Sequence, residues 1–172
     1  MTIILGIDPG SRRTGFGIIK VLGVKLHYLT SGVVRLPEAG LPERLKVIFD
    51  SVGELIAVNN PDEMAVEDVF FSRDPRAALR LGQARGAAIV AGVNAHLPVA
   101  EYSARTVKQA VVGNGAADKE QVQEMVKRLL KLPAAPVEDA ADALAVAICH
   151  ANSMKMNERV SASKGFARGR LR

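Results

Sequence analysis

Residues 3–19 read IILGIDPGSRRTGFGII. Two apolar runs, 3–7 and 16–21, flank the turn residues Pro9, Gly10 and Ser11. Short apolar runs bounded by turn signals predict buried strands, so the chain opens as a hairpin. One acid, Asp8, stands at the end of the first run, where a buried strand would otherwise continue. Moving an unpaired charge into a core costs several kcal/mol or more. Asp8 is therefore either a surface residue opening an Asp-Pro-Gly turn or a carboxylate held by something positive.

Working outward, residues 27–36 predict a third strand, with Gly23 at the turn before it, which makes an antiparallel meander. Apolar residues at 41, 45, 48, 52, 55 and 56 have helical spacing, and Asn59-Asn60-Pro61 ends that helix. A strand over 64–71 follows. Asp74 as N-cap and Pro75 at the first position start a helix that runs to about residue 96. A short strand at 99–102 precedes helices at about 103–111 and 119–131, with Asn114-Gly115 turning between them. Pro133 and Pro136 mark a linker, and a last helix spans about 138–154. The order β-β-β-α-β-α-β-α-α-α predicts an α/β fold, a mixed sheet of about five strands flanked by helices.

The 172 residues suit one domain with enough buried surface to need no staples. The expected division is a domain over 1–155 and a basic, flexible tail over 156–172. One cysteine, Cys149, excludes an internal disulfide. No signal-peptide pattern is present and no apolar run reaches ~18 residues, so the expectation is a cytoplasmic protein with no membrane association. Lysine and arginine number 23 against 18 acids. Residues 151–172 hold six of those bases (Lys155, Arg159, Lys164, Arg168, Arg170, Arg172) and one acid, Glu158. That leaves the body balanced at 17 against 17. Binding of a polyanion by the body then requires segregated charge rather than excess charge.

Four acids resist a bland reading. Asp8 ends an apolar strand. Glu67 lies inside AVEDVF, and Asp139 and Asp142, three apart on an alanine-rich helix, share a face. Ala140, Ala141, Ala143, Ala145 and Ala147 would let that helix lie close against a sheet and carry both aspartates toward the strand ends. The competing readings are a turn residue for Asp8, edge-strand solvent exposure for Glu67 and Asp68, and helix-dipole complementation for Glu138 and Asp139. Capping does not explain Asp142. Four converging carboxylates repel, and their pKa values rise unless cations neutralise them. All-oxygen donors suit Mg²⁺ or Mn²⁺ rather than zinc, and two such ions about 3.5–4 Å apart form a clamp for phosphodiester hydrolysis. His27, His96 and His150 are far apart in sequence and offer no rival metal site. His150 is expected to be structural or at the surface.

ILGIDPGS at 4–11, the strand around Glu67, LGQARG at 81–86, VKQAVVG at 107–113 and DAADALA at 139–145 together resemble the RuvC family of bacterial Holliday junction resolvases. The ending ARGRLR at 167–172 is similar to that of known members. The resemblance covers nearly the whole chain and implies a ribonuclease-H-like fold, in agreement with the element order. It implies that Asp8, Glu67, Asp139 and Asp142 bind two divalent ions, Mg²⁺ with Mn²⁺ as a substitute. It further implies a homodimer nicking a four-way DNA junction symmetrically, leaving 5′-phosphate and 3′-hydroxyl ends, with RuvA and RuvB as branch-migration partners. Two positions depart from the family pattern. Position 68 is Asp where the pattern has Gln, and strand alternation sends it to the face opposite Glu67. Residues 72–76, SRDPR, are richer in arginine than is typical.

The resemblance places a wedge role on Phe70, which could stack on an unpaired base, and leaves Phe71 to packing. Arg73, Arg76 and Arg80 form one helical stripe for DNA. Lys108 and Lys119 are placed near the scissile phosphate. The stretch GNGAADK at 113–119 precedes a helix whose free N–H groups could hold a phosphate. It lacks the Gly-Lys-Ser/Thr ending of a Walker loop. Ala78, Gly82, Gly86 and Val90 form a small-residue ridge for close approach, either onto the sheet or across a dimer axis, and the family dimer favours the axis. A rival class, the actin- and sugar-kinase-like ATP binders, also opens with a strand, an Asp and a Gly-rich turn. It needs a second phosphate loop and a second domain for which 172 residues leave no room. A shorter RNA-processing relative would lack the basic tail and the long GQARG helix. A silent junction-binding module would have no reason to keep four acids at these positions.

Overall fold

Period-two alternation along the opening strand sorts its side chains between two cores. In the computed structural model, which describes residues 1–68 and 74–167 with side chains as far as 156, β1 (Thr2–Asp8) sits in a five-stranded sheet. Its neighbours are β2 (Arg13–Leu22), which with β3 (Lys25–Arg35) completes the antiparallel meander, and the parallel strand β4 (Glu63–Asp68). β5 (Val99–Ser103) is parallel to β4 at the far edge, giving the order β3-β2-β1-β4-β5. The mixed sheet and its helices match the predicted architecture.

Leu5, Ile7, Ile18, Met64 and Val66 face α1 (Leu41–Asn59) and α2 (Pro75–Asn94). Ile4, Ile19 and Ala65 face α3 (Ala104–Val112), α4 (Lys119–Leu130) and α5 (Glu138–Ala167). Helix α5 is the central support, since residues 143–149 are completely buried between the sheet on one side and α3 and α4 on the other. Its closeness has two causes. The alanines on the helix were legible beforehand. The second cause lies in the strands, where Gly6, Gly15 and Gly17 turn bare backbone to the same helix. A Cβ on Gly6 would stand 2.1 Å from the Ala143 carbonyl oxygen, and one on Gly15 would stand 1.9 Å from that of Asp139. Gly17 meets the Leu144 side chain, whose Cγ would stand 2.6 Å from an added Cβ.

Several boundaries differ from the sequence reading. β2 starts at Arg13 rather than 16, because Arg13 and Thr14 already pair with Arg35 and Val34 of β3. Polar residues at a strand end carry no apolar signal, yet their backbone completes the ladder. α5 continues to Ala167 rather than ending near 154. The expected flexible tail from 156 is therefore helical as far as 167, since no proline interrupts the segment and backbone hydrogen bonding needs no apolar pattern to continue. Asn60 ends α1 as expected, in the left-handed conformation at φ 44°. Among the described residues no helix is long and apolar enough to cross a membrane.

Candidate active site

The same alternation that builds the cores aims the acids. Ile4, Gly6 and Asp8 share the α5 face of β1, and Glu63, Ala65 and Glu67 share that face of β4. Parallel pairing of Ile7 with Val66 puts Asp8 and Glu67 on adjacent strand ends. Helix α5 begins over those ends because Gly15 lets its first turn touch β2, and Asp139 rides on that turn with Asp142 following it. A cavity of about 340 Å³ results, lined by Asp8, Glu67, Asp68 and Asp142, by Lys108 and Lys119, and by apolar residues including Leu81 and Val107. Asp139 lies on its far side and lines a smaller hollow with Arg13, whose Nη1 is 3.8 Å from Asp139 Oδ2.

The electrostatics are those of crowded carboxylates. Burial, then the charges of Asp142 and Asp139, push Asp8 up to about 7. Burial, then Asp8 and Asp142, push Glu67 up to about 8. Asp142 is raised as well, chiefly by burial. Lys119 opposes the rise at Asp8 and Lys108 at Glu67, without cancelling it. The cavity therefore holds more negative charge than its own cations neutralise, and the donors are all oxygen, which fits hard divalent cations. Among the described residues, no three His, Cys, Asp or Glu donors stand close enough together to ligate one ion without moving.

The two lysines are placed by helix chemistry. Ser103 caps α3, its Oγ accepting from Thr106 N–H at 3.2 Å, and so aims Lys108 one turn later into the cavity. Asp118 caps α4 in a reciprocal box with Gln121, and Lys119, the first helical residue, pairs with Glu138. The phosphate cradle expected at the start of α4 is partly occupied. Gln109 Oε1 accepts from Gly115 N–H, Asn114 Oδ1 from Ala116 N–H, and Asp118 Oδ1 from Gln121 N–H. Side chains of the loop and its neighbours already use those donors.

Alternation predicts Asp68 on the face away from Glu67. It pairs with Arg85 of α2, whose Nη2 lies 3.2 Å from its Oδ1 while also pairing with Glu101 of β5. Yet it borders the same cavity as Glu67, because the cavity opens at the strand ends between α2 and α5. This clamp of helix to two strand ends was missed, and the Arg85 within GQARG was the signal for it. His150 is a buried structural residue, hydrogen-bonded through Nδ1 to Tyr102 Oη at 2.8 Å and through Nε2 to Glu63 at 2.7 Å. Arg76 and Arg80 stand on α2 outside the carboxylate cavity; Arg80 borders a crevice against α1 instead. Phe70, Phe71 and Arg73 lie outside the described residues. Ala78 is half-buried on α2, and Gly82 and Gly86 have open space above them.

A family model described as Crossover junction endodeoxyribonuclease RuvC matches residues 4–150. This chain belongs to the RuvC family. The RuvC of Teredinibacter turnerae is 60% identical over 175 residues, covering 99% of each chain. That of Tolumonas auensis is 60% identical over 173 residues and covers both chains completely. Among solved structures, Thermus thermophilus RuvC in complex with a Holliday junction substrate superposes with a TM-score of 0.86 at 39% identity, covering 91% of this chain and 97% of that one. The yeast mitochondrial resolvase Ydc2, 13% identical with a TM-score of 0.69 over 98% of this chain and 84% of its own, shares the fold.

Proposed function

We propose that this RuvC-family chain is a structure-selective endonuclease that resolves four-way DNA junctions by hydrolysing phosphodiester bonds in two strands, in recombination and repair. The observation that carries the reading is the meeting of Asp8, Glu67 and Asp142, from three separate elements, in one cavity beside Lys108 and Lys119, with Asp139 on the same helix as Asp142 but on the far side of that cavity. The relatives named as junction endonucleases, and the Thermus RuvC solved with a junction, support it. Asp8, Glu67, Asp142 and Asp139 would hold two Mg²⁺ ions after small side-chain movements. Bound there, the ions would lower the pKa of an attacking water and stabilise the leaving oxygen. The chain's own part is to fix the carboxylates on rigid strand and helix ends, and to offer Lys108 and Lys119 to the phosphate being cut. The nicks would carry 5′-phosphate and 3′-hydroxyl ends, in the bacterial cytoplasm, with RuvA and RuvB as partners. A four-way junction and a matching linear duplex, each incubated with Mg²⁺ or EDTA, test the reading: symmetric nicks in the junction alone, with Mg²⁺ alone, are expected. Equal cutting of the duplex would reduce it to a non-selective nuclease.

A two-fold substrate suits a two-fold enzyme, and the outer face of α2 suits a second copy. Leu79, Val90 and Val93 are each more than half exposed, and nothing approaches Gly82 or Gly86. A contiguous apolar face around small residues is where a partner helix approaches closely. Gly86→Leu is expected to weaken self-association about tenfold, at 1.4 kcal/mol per decade against an overpacking cost of about 1–3 kcal/mol. Sedimentation velocity across a dilution series reads the change, and an unaltered dimer would move the axis elsewhere.

A further inference from the structure

Arg13 of β2 and Arg35 of β3 are directly opposite each other in the antiparallel ladder. Like charges in that arrangement destabilise a sheet, so the pair is a cost to folding. Both line a hollow of about 240 Å³ with Val33, Val137, Glu138 and Asp139. Of its two carboxylates, Glu138 is taken by Lys119. Asp139 lies 3.8 Å from Arg13, whose side chain is 65% exposed, so the contact is loose. Alternation explains the position. Arg13 and Gly15 share one face of β2, and Gly15 seats the first turn of α5, so the two guanidinium groups flank the start of the helix that carries Asp139 and Asp142. The hollow and the carboxylate cavity are therefore on opposite sides of that turn.

We propose that Arg13 and Arg35 together seat one DNA backbone phosphate, on the side of the first turn of α5 away from the carboxylate cavity. This rests on the nuclease reading above. Two planar guanidinium groups offer paired donors to phosphate oxygens, which a single lysine does not. When Asp139 turns to a divalent ion, Arg13 loses its loose partner and its charge is left to the DNA. The metal-free chain uses the same seat, because the guanidinium pair exists without the ion.

The test is the salt dependence of binding to a fluorescent four-way junction in EDTA. The proteins compared are the full chain, Arg13→Gln, Arg35→Gln, the double variant, and Lys46→Gln on α1 as a charge-matched control. Each arginine variant is expected to weaken binding about fivefold at moderate salt and to lower the slope of log K against log salt by about 1. The double variant is expected to lose about 1, not 2, because both side chains serve one phosphate. Thermal midpoints of the variants at or above that of the parent show that folding is intact, since neutralising either arginine removes repulsion. Slopes equal to those of the parent and Lys46→Gln would overturn the proposal, as would a loss of about 2 in the double variant, which means separate contacts. A parent chain that neither binds nor nicks the junction would defeat the nuclease reading itself.

Discussion

Asp8→Asn is expected to abolish nicking while making the metal-free chain more stable at pH 8. The two effects have one cause. In the folded chain Asp8 titrates near 7 and Glu67 near 8, because burial and neighbouring carboxylates penalise the charged forms. In the unfolded chain both titrate near their ordinary values, 3.8 and 4.5. Between about pH 4 and 8 the folded chain therefore holds more protons than the unfolded one, and its stability falls as pH rises through that window. The contribution is complete below the unfolded values and gone above the folded ones. Asparagine cannot ionise, so the variant's thermal midpoint is expected to exceed the parent's at pH 8 and to meet it near pH 4. Since 1.36 kcal/mol corresponds to one pKa unit, the difference is on the order of a few kcal/mol. Activity moves the other way. A lost ligand to a catalytic ion removes several kcal/mol of transition-state stabilisation, about 10³-fold in rate. The parent's Mg²⁺ affinity should also climb with pH through 7–8, with proton release measurable by calorimetry in buffers of different ionisation enthalpy. Nicking at the parental rate by Asp8→Asn would remove Asp8 from the site.

The second large effect comes from a residue with no chemistry of its own. Gly15→Val places a Cβ where the Asp139 carbonyl oxygen stands, 1.9 Å from it, against a floor of about 3.0 Å in real structures. Backbone blocks backbone there, so the first turn of α5 must lift by about 1 Å, and Asp139 and Asp142 lift with it. A misplacement of that size can cost about 10²-fold in rate. Overpacking adds about 1–3 kcal/mol of lost stability. Gly53→Ala is the matched control, because Gly53 lies inside α1 with nothing within 4 Å of an added Cβ. That substitution is expected to stabilise by about 0.5–1 kcal/mol through helix propensity and leave cleavage untouched. Junction nicking and thermal unfolding of the two variants decide the matter, and wild-type rates in Gly15→Val would show that the helix start tolerates displacement.

The order of elements was legible because each carries a local signal: apolar runs for strands, 3.6-residue spacing for α1, Asp74-Pro75 for the start of α2. The four acids stood out for a related reason, since Asp8 and Glu67 interrupt apolar strands and Asp142 sits too deep in its helix to be a cap. Strand alternation even assigned Asp68 to the face where it meets Arg85. Three features were not legible. The beginning of β2 at Arg13 and the extension of α5 to Ala167 depend on backbone hydrogen bonds that leave no mark on hydropathy. The helix after the loop at 113–119 promised free N–H donors, yet Asp118 already accepts from Gln121 N–H, and Gln109 and Asn114 accept from Gly115 and Ala116 in the loop.

From local spacing alone the sequence determined the elements, their order and the acids that do not belong to a core. Tertiary structure decided which residues meet. Gly6, Gly15 and Gly17 look like weak strand residues until α5 is laid across them, and Arg13 and Arg35 are unrelated until β2 and β3 pair. The physical reason is that a strand's pattern states which face a side chain takes, whereas distance to a neighbour on another element depends on register and on how closely the backbones pack.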